Sequence, residues 1–342
     1  MKVKIYISDE GFGHIVRQRA IVKELYRQFD KIEVTIQTNV NFEFAIKNIQ
    51  HDTAIKKFNN ILWHKSEIFI AEEIVNFDYD FVITDFCYEA FEIAKICCVP
   101  AFGVCHFTWD WFLAQLFDDK LRNELIPRLI SQASSAKALF FPPFTPSKIL
   151  ECYDNHQDVP FIVKEDIAHK QWPIVRENSL KILFMDSGAG IMRERIINVL
   201  QSFNYSNFRE NIIFGVPTSI DFEHANVFNI PKDHLIIDYV KSADFVVGRP
   251  GFNTVSECLA CKVPMILISE TMNPEMDHNI SALVEENIAD FLSLEDFQLN
   301  FENVIKTYIN EKLDFCNDNL MNKNYSVNGA EIIVESIKKV MT

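Results

Sequence analysis

The sequence has no surplus of positive charge and no long apolar run. It carries 33 Lys and Arg against 48 Asp and Glu, a formal net charge of −15 with neutral histidines. This balance argues against nucleic-acid binding, which relies on surplus Lys and Arg. No stretch reaches the roughly 18–20 apolar residues of a membrane-spanning helix, and residues 1–8 are too short for a signal peptide. We therefore expect a cytoplasmic protein with no stable membrane insertion and no nucleic-acid partner.

The sequence also lacks the cysteine pattern of a disulfide framework. Its eight cysteines are scattered, mostly inside apolar segments, which favours reduced and buried thiols. Cys258 and Cys261 have zinc-like spacing, but no second Cys or His pair stands near them in the sequence. Burial on a helix is therefore favoured over a metal or redox role, and we expect no metal site.

The length and the strand–helix alternation predict two α/β domains. A chain of 342 residues is long enough for two domains at roughly 100–200 residues each. Strand and helix patterns alternate in both halves, which indicates parallel sheets covered by helices. We expect a first domain over residues 1–165, a second over 178–327, and a final helix over 328–342. The predicted strands are residues 2–8, 32–38, 81–84, 101–105, 181–185, 211–216, 235–237, 245–247 and 265–269.

The loop after the first predicted strand carries two glycines and a histidine. Gly11 and Gly13 allow a ligand to approach the backbone closely. His14 would begin the first helix, where a neutral imidazole can act as a general base; the alternative is that it only caps the turn. The loop is not a dinucleotide fingerprint, because Val16 replaces the third glycine.

An aspartate ends the predicted strand 81–84. Because ligands of α/β folds bind at the carboxyl ends of strands, the Asp85 carboxylate is expected in the binding cleft. It can orient an imidazole or contact a hydroxyl. The alternative is a cap for the following helix.

Two further turns join strands to helices in the second half. Ser187 and Gly188 lie in a small-residue turn that can bind an anion through backbone N–H groups, or be a plain tight turn. This turn lacks the Lys and hydroxyl residue of a P-loop, so nucleoside triphosphate hydrolysis is not indicated.

The segment 248–257 is the more specific of the two turns. Gly251, Asn253 and Thr254 can offer N–H and hydroxyl groups to a diphosphate at a helix N-terminus, and Arg249 can supply a cation. Glu257 would lie in the first turn of a helix beginning at residue 254. A carboxylate there can accept both hydroxyls of a ribose, or simply complement the helix dipole.

A polar segment follows the predicted strand 265–269. Asp277, His278 and Asn279 are expected to reach the same cleft, where they can bind sugar hydroxyls. The alternative is a polar loop at the start of a helix over residues 278–286.

Three stretches together resemble a known family. They are residues 11–17, 107–111 and 251–257, and the motifs extend over most of the chain. The sequence resembles GT-B glycosyltransferases of the family 28 type. It is most similar to the glycosyltransferase-like N-terminal region of L-arabinokinases and related bacterial proteins.

The resemblance implies a GT-B fold, in which two Rossmann-like, doubly wound α/β domains face a central cleft. The first domain would bind the acceptor and the second the nucleotide-sugar, with the helix 328–342 packing back on the first. The chemistry would need no metal and no cofactor, since the nucleotide-sugar donor is a substrate. His14 would be the catalytic base, with Asp85 assisting. The nucleotide-sugar would be bound by Gly13, Ser187, Gly188, Arg249, Gly251, Asn253, Thr254, Glu257, Asp277, His278 and Asn279.

The expected function is sugar transfer from a nucleoside-diphosphate sugar, UDP-linked by preference, to an acceptor hydroxyl. The acceptor can be a glycan, a lipid or a small molecule. Two alternatives stay open. One is a nucleotide-sugar hydrolase with water as acceptor, since the first loop and the turn 251–257 are also similar to a UDP-sugar hydrolase of pseudaminic acid synthesis. The other is a non-catalytic nucleotide-sugar-binding protein.

Overall fold

The computed structural model describes most of the chain and divides it into two compact units. One unit comprises Met1–Val163 and Val327–Thr342, and the other Lys164–Ser326. The described residues are 1–7, 13–38, 49, 54–56, 66–117, 119–163, 167, 170–174, 176–186, 192–231, 234–270 and 272–342. Among them, no helix is both long and apolar enough to span a bilayer.

The first unit is a seven-stranded parallel sheet in the order β3-β2-β1-β4-β5-β6-β7. Its strands are β1 Lys2–Ile7, β2 Glu33–Gln37, β3 Ala54–Lys56, β4 Phe81–Asp85, β5 Ala101–Val104, β6 Ala138–Phe141 and β7 His156–Asp158. The helices between them are α1 Gly13–Gln28, α2 Ser66–Ile74, α3 Tyr88–Ile96, α4 Trp109–Leu116, α5 Asp119–Ala133 and α6 Ser147–Leu150.

The second unit is a six-stranded parallel sheet in the order β10-β9-β8-β11-β12-β13. Its strands are β8 Ser179–Met185, β9 Asn211–Val216, β10 Val227–Asn229, β11 Phe245–Gly248, β12 Met265–Ser269 and β13 Ala289–Ser293. Its helices are α7 Arg193–Ser202, α8 Ile237–Val240, α9 Phe252–Cys261, α10 Pro274–Glu285, α11 Leu294–Leu299, α12 Phe301–Thr307 and α13 Leu313–Met321, with a π-helical turn over Tyr308–Lys312. In both units the chain first adds strands on one side of the unit's first strand and then returns to add the remaining strands on its other side. The predicted doubly wound α/β fold is therefore confirmed.

The central strand β1 shows why the first sheet is covered on both faces. Successive side chains of a strand point to opposite sides of the sheet. Val3, Ile5 and Ile7 pack in the core cluster that α1 and the last helix share. Tyr6 points the other way and packs in the cluster that contains α3. Both faces of β1 are therefore buried, and even Lys4, on the same face as Tyr6, is 5% exposed and donates to Glu73 Oε2 at 2.6 Å.

The last helix, α14 Gly329–Met341, packs against α1 in the first unit. Arg27 Nη2 donates to Glu331 Oε1 at 2.7 Å across this contact. Gly329 allows the close approach at the start of the helix, because a Cβ there would lie 2.1 Å from the Pro160 carbonyl oxygen.

The two units begin their central strands in the same way. In the first, the Lys2 N–H donates to Asp80 Oδ2 at 2.6 Å, and Asp80 precedes β4. In the second, the Lys181 N–H donates to Asp244 Oδ2 at 2.6 Å, and Asp244 precedes β11. Asp85 and Arg249 therefore occupy matching places, since each comes four residues after the phenylalanine that opens the strand.

A tryptophan near the start of the second unit is packed into that unit. The indole of Trp172 is 1% exposed and stacks at a tilt on Phe228. A Cβ on Gly215 would lie 2.7 Å from that indole, so the glycine makes room for it. Trp172 therefore belongs to a packed unit, although it lies between the two domains predicted from the sequence, 1–165 and 178–327.

Candidate functional site

Polar side chains from α1 and β4 meet at the carboxyl edge of the first sheet. The pairing of β1 with β4 sets Asp85 opposite Ile7, the last residue of β1. His14, Arg17 and Gln18 lie three and four residues apart on α1 and therefore share one face. His14 Nδ1 lies 2.7 Å from Asp85 Oδ1. The predicted pairing of an imidazole with this carboxylate is therefore present.

The Asp85 carboxylate is completely buried, and both of its oxygens accept hydrogen bonds. Arg17 donates to both oxygens, from Nη2 to Oδ1 at 2.7 Å and from Nε to Oδ2 at 3.0 Å. Gln18 Nε2 also donates to Oδ2, at 3.1 Å. Burial by itself raises the pKa of Asp85, but the positive charge of Arg17 and the contact with His14 outweigh it and hold the pKa well below its usual value. Asp85 is therefore a carboxylate that only accepts hydrogen bonds.

This arrangement fixes the tautomer of His14. Asp85 cannot donate, so the short contact at Nδ1 requires the proton on Nδ1, and the neutral ring keeps its lone pair on Nε2. Arg17 Nη2 also lies 3.0 Å from Nδ1, but a nitrogen that carries a proton cannot accept from it. The His14 side chain is 11% exposed, whereas Asp85 is 0% exposed. An imidazole that is oriented at Nδ1 by a buried carboxylate and keeps a lone pair on Nε2 has the arrangement that proton abstraction requires.

The alternative interpretation of Asp85 as a helix cap does not apply. The residue before α3 is Cys87, and its N–H is bonded by the Thr84 hydroxyl at 2.8 Å. The hydroxyl of Thr84 therefore stabilises the turn before α3. The Asp85 carboxylate instead contacts side chains of α1.

Sequence reasoning missed the second histidine at this edge. Arg17 Nη1 lies 3.3 Å from His106 Nδ1, and His106 is 5% exposed. Because arginine only donates, Nδ1 of His106 accepts and its proton lies on Nε2. His106 comes two residues after β5, and a polar residue directly after a buried strand was the signal that could have identified it.

In the second unit, Arg249 directly follows β11 and is paired with a glutamate. Its Nη2 donates to Glu270 Oε2 at 2.6 Å and lies 3.7 Å from Met276 Sδ. Glu270 directly follows β12, the neighbouring parallel strand. The predicted cation is therefore at the carboxyl edge of the sheet, together with a carboxylate that the sequence motifs did not single out.

Helix α9 begins directly after a glycine whose Cβ position is open among the described residues. Gly251 is the N-cap residue, and a Cβ there would meet no heavy atom of the described residues within 4 Å. Asn253 and Thr254 follow in the first turn and are half-buried. The Phe252 N–H, also at this N-terminus, lies 3.3 Å from Glu275 Oε1 and donates to it.

Two predictions about helix starts are wrong. Helix α9 begins at Phe252 rather than at 254, so Glu257 lies in its second turn and not in the first. Helix α10 begins at Pro274 rather than at 278, because the Asn273 side chain accepts from the Met276 N–H at 3.2 Å and caps it. Glu257 is buried on its helix, with 9% exposure.

The predicted sugar-binding residues are therefore on α10 and not in a loop. Asp277 is exposed, His278 is half-buried and Asn279 is buried. Asn279 Nδ2 donates to the Pro250 carbonyl at 2.8 Å. Asn279 thus holds the turn that carries Gly251, while Asp277 and His278 are closer to solvent.

Some predicted residues lie outside this geometry. Ser187 and Gly188 fall outside the described residues. Gly13 is the first residue of α1, half-buried and next to His14. The predicted strand at 235–237 is wrong, since α8 begins at Ile237.

The two cysteines with zinc-like spacing lie on a helix, as predicted. Cys258 and Cys261 both lie on α9, and burial raises the pKa of the Cys261 thiol to about 12. Among the described residues, no three His, Cys, Asp or Glu side chains are grouped so as to hold a metal ion. Cys98 and Cys152, however, are exposed, although cysteines as a class were expected to be buried.

The aromatic stretch 107–111 is held in place by the hydrogen bonds of a buried aspartate. Asp110 is buried, and its Oδ1 accepts from the hydroxyls of Tyr88 and Tyr153. Trp109 and Trp111 flank it and are partly buried against Phe107. Both tryptophans therefore contribute to packing and keep part of their surface exposed.

Comparison with known proteins identifies this architecture. Residues 191–337 match the glycosyltransferase family 28 C-terminal domain. The UDP-N-acetylglucosamine--N-acetylmuramyl-(pentapeptide) pyrophosphoryl-undecaprenol N-acetylglucosamine transferase of Clostridium botulinum strain Kyoto is 30% identical over 158 residues, 44% of this chain and 42% of the relative. The same enzyme from strain Loch Maree matches with equal identity and coverage. The chain thus spans less than half the length of these relatives.

Solved structures match over nearly the full chain at low identity. Phytolacca americana UGT2, complexed with UDP-2fluoro-glucose and pterostilbene, has a TM-score of 0.68 at 11% identity, covering 100% of both chains. The kitacinnamycin glycotransferase has a TM-score of 0.67 at 12% identity, covering 99% of this chain and 98% of the other. Spinosyn rhamnosyltransferase SpnG with thymidine diphosphate has a TM-score of 0.66 at 10% identity, covering 99% and 100%. The chain therefore has the GT-B fold, and its residues 191–337 are similar to the glycosyltransferase family 28 C-terminal domain.

Proposed function

We propose that this protein is a glycosyltransferase that moves a sugar from a UDP-sugar to an acceptor hydroxyl. The observation that carries the proposal is the buried His14–Asp85 pair, 2.7 Å apart, at the carboxyl edge of a GT-B sheet. A helix N-terminus and a guanidinium lie at the corresponding edge of the other sheet. These are the two elements that sugar transfer requires, a base for the acceptor and positive groups for the leaving diphosphate.

The acceptor is activated by His14. Its Nε2 takes the proton of the acceptor hydroxyl as the oxygen attacks the anomeric carbon of the donor. The imidazolium that forms is stabilised by the Asp85 carboxylate at Nδ1, and Asp85 itself stays ionised because Arg17 holds its pKa low. Attack by a base-activated hydroxyl from the face opposite the leaving group inverts the anomeric centre.

The leaving diphosphate is stabilised by the second unit without a metal. The bond between the anomeric carbon and the diphosphate oxygen breaks, and negative charge grows on that oxygen. This charge would be met by the N-terminal amides of α9 at Gly251, Asn253 and Thr254 and by the guanidinium of Arg249, which lies at the same edge of the sheet. Ser187 and Gly188 would line the same site, Glu257 would accept the ribose hydroxyls, and Asp277 and His278 would contact the sugar.

The acceptor is best sought among three classes. One relative acts on a pyrophosphoryl-undecaprenol acceptor by name, and solved structures hold pterostilbene or a spinosyn aglycone. A glycan, a lipid and a small hydroxylated molecule are therefore all candidates for a cytoplasmic reaction in this protein.

A binding screen followed by a turnover assay tests the proposal. A nucleotide that binds only the folded chain raises its apparent Tm, so UDP, TDP, GDP and their sugars are screened first. The best donor is then incubated with acceptors from the three classes, and nucleoside diphosphate release and the glycosylated product are measured. We expect His14→Ala to leave donor affinity nearly unchanged and to lower turnover roughly 100-fold or more.

The control and the contrary outcomes are specific. Lys23→Gln, an exposed change on the same helix, is expected to keep full turnover. Stoichiometric release of free sugar without acceptor would favour the hydrolase, and tight binding without any turnover would favour a non-catalytic binder. Full activity of His14→Ala would refute the assignment of the base.

A further inference from the structure

The guanidinium of Arg249 is held by a carboxylate that no sequence motif identifies. Arg249 Nη2 lies 2.6 Å from Glu270 Oε2, and the two side chains are 10% and 16% exposed. Each residue directly follows one of two neighbouring parallel strands, β11 and β12, so the pairing of these strands brings both to the same edge of the sheet. The ion pair therefore belongs to the edge where the donor is expected.

The pair differs from the one in the first unit. In the first unit both oxygens of Asp85 accept hydrogen bonds, so the hydrogen-bonding capacity of this carboxylate is satisfied within the chain. In Glu270 only Oε2 is bonded to Arg249, while Oε1 is buried and finds no hydrogen-bond donor among the described residues. A buried carboxylate oxygen without a donor is costly and is retained only for a reason. Glu270 is therefore not optimised as a structural ion pair.

A second glutamate behaves in the same way at the neighbouring positive group. Glu275 Oε1 accepts from the Phe252 N–H at the N-terminus of α9. The guanidinium and the helix N-terminus, which are the two positive elements of the donor site, are thus each contacted by a carboxylate of the chain itself. In a chain with a net charge of −15, these carboxylates oppose a diphosphate locally as well as globally.

We propose that Glu270 is a positioning residue of the donor site that also sets its affinity for a diphosphate. Its carboxylate aims the guanidinium of Arg249 and at the same time neutralises part of the charge that a diphosphate meets. The inference rests on the proposed function, because it takes the edge with Arg249 as the donor site. It predicts that removing the charge of Glu270 while keeping its shape tightens binding.

The test is a double-mutant cycle on equilibrium binding of UDP. Glu270→Gln keeps an amide oxygen that can accept from Arg249 but removes the negative charge. We expect UDP to bind roughly three- to tenfold more tightly to this variant at about 0.15 M salt, the size of one charge change at a partly solvated site. Arg249→Gln should weaken binding. In the Arg249→Gln background, Glu270→Gln should give a clearly smaller gain in UDP affinity, because it then removes only the direct repulsion between Glu270 and the diphosphate.

Controls separate this effect from folding and from overall charge. Asp290→Asn removes a carboxylate from another ion pair of the same unit, with Lys312 at 2.7 Å, and should leave UDP affinity unchanged. The Tm of each variant is measured without ligand. If Arg249→Gln does not fold, Arg249→Lys keeps the charge without the planar fork, and an unchanged gain from Glu270→Gln in that background would contradict the positioning role.

The outcomes also separate this inference from the proposed function when inorganic pyrophosphate is titrated in parallel. Weaker UDP binding by Glu270→Gln, or an equal gain with and without Arg249, overturns the inference alone. If pyrophosphate binds with the expected pattern of variants but no nucleoside diphosphate binds, the proposed function fails and the inference stands. If neither ligand binds any variant, both are wrong.

Discussion

Two glycines three residues apart in the second unit should respond in opposite ways to the same added methyl group. At Gly251 the backbone has φ −64° and a Cβ would meet no atom of the described part of the chain within 4 Å, so alanine fits there. At Gly248, on the central strand β11, a Cβ would lie 2.7 Å from the Met185 carbonyl oxygen on β8. Neither backbone can move without disturbing the sheet, so the second substitution must strain the fold.

The magnitudes follow from these contacts. Gly251→Ala should change the free energy of unfolding by less than about 1 kcal/mol, since the gain from a stiffer unfolded chain offsets a poorer N-cap. Gly248→Ala should cost about 1–3 kcal/mol, the usual penalty for overpacking. If a diphosphate packs on the N-terminus of α9, the methyl group of Gly251→Ala stands where its oxygens approach. We then expect UDP affinity to fall roughly tenfold or more, about 1.4 kcal/mol or more.

Urea unfolding gives the stability of each variant, and titration calorimetry with UDP gives the affinity. Gly248→Ala serves as the matched control, because it should lose stability and, at temperatures where it is folded, keep most of its affinity. If Gly251→Ala bound UDP as tightly as the unchanged protein, the diphosphate would not lie on this helix N-terminus. If it unfolded like Gly248→Ala, the local geometry of the turn would be wrong.

Three further predictions concern the first unit. Asp85→Asn should lower the free energy of unfolding by about 3–5 kcal/mol at pH 7, because it leaves the buried Arg17 charge without its counter-ion; urea unfolding measures this. Because the pKa of Asp85 is lower in the folded chain, its contribution is complete above the ordinary Asp pKa of about 4 and is lost as the pH falls below it. The stability difference between Asp85→Asn and the unchanged protein should therefore shrink below about pH 4, and a constant difference would contradict the pairing. Gly329→Ala should destabilise by about 1–3 kcal/mol, since its Cβ would clash with the Pro160 carbonyl, and a neutral result in thermal unfolding would refute the close approach of α14.

The sequence predicted the elements that carry the first part of the site. Hydrophobic period and composition located β1, β4 and α1 to within about a residue, because apolar residues are the majority in both strands and recur at helical spacing in α1. Once parallel strands are expected, the ends of β1 and β4 must lie side by side. The proximity of His14 and Asp85 was therefore predictable from the order of elements alone.

Other features depended on contacts that no local pattern encodes. The start of α10 at Pro274 was missed because the capping role of Asn273 was not recognised. The short edge strands β3 and β7 have little apolar sequence of their own and exist through pairing with a longer neighbour. Trp172 falls between the two predicted domains, and only the space beside Gly215 shows that its indole packs into the second unit.

The sequence by itself determined the doubly wound α/β class, the strand ends that carry chemistry and the family resemblance, because these follow from hydrophobic period and from motifs that are local in the chain. The tertiary structure alone decided which charges are joined. Arg17 clamps Asp85 from another element, and Glu270 holds Arg249 from the next strand, 21 residues away. A buried charge must find a counter-charge wherever the fold brings one near. That choice depends on distances between elements, which the order of residues does not contain.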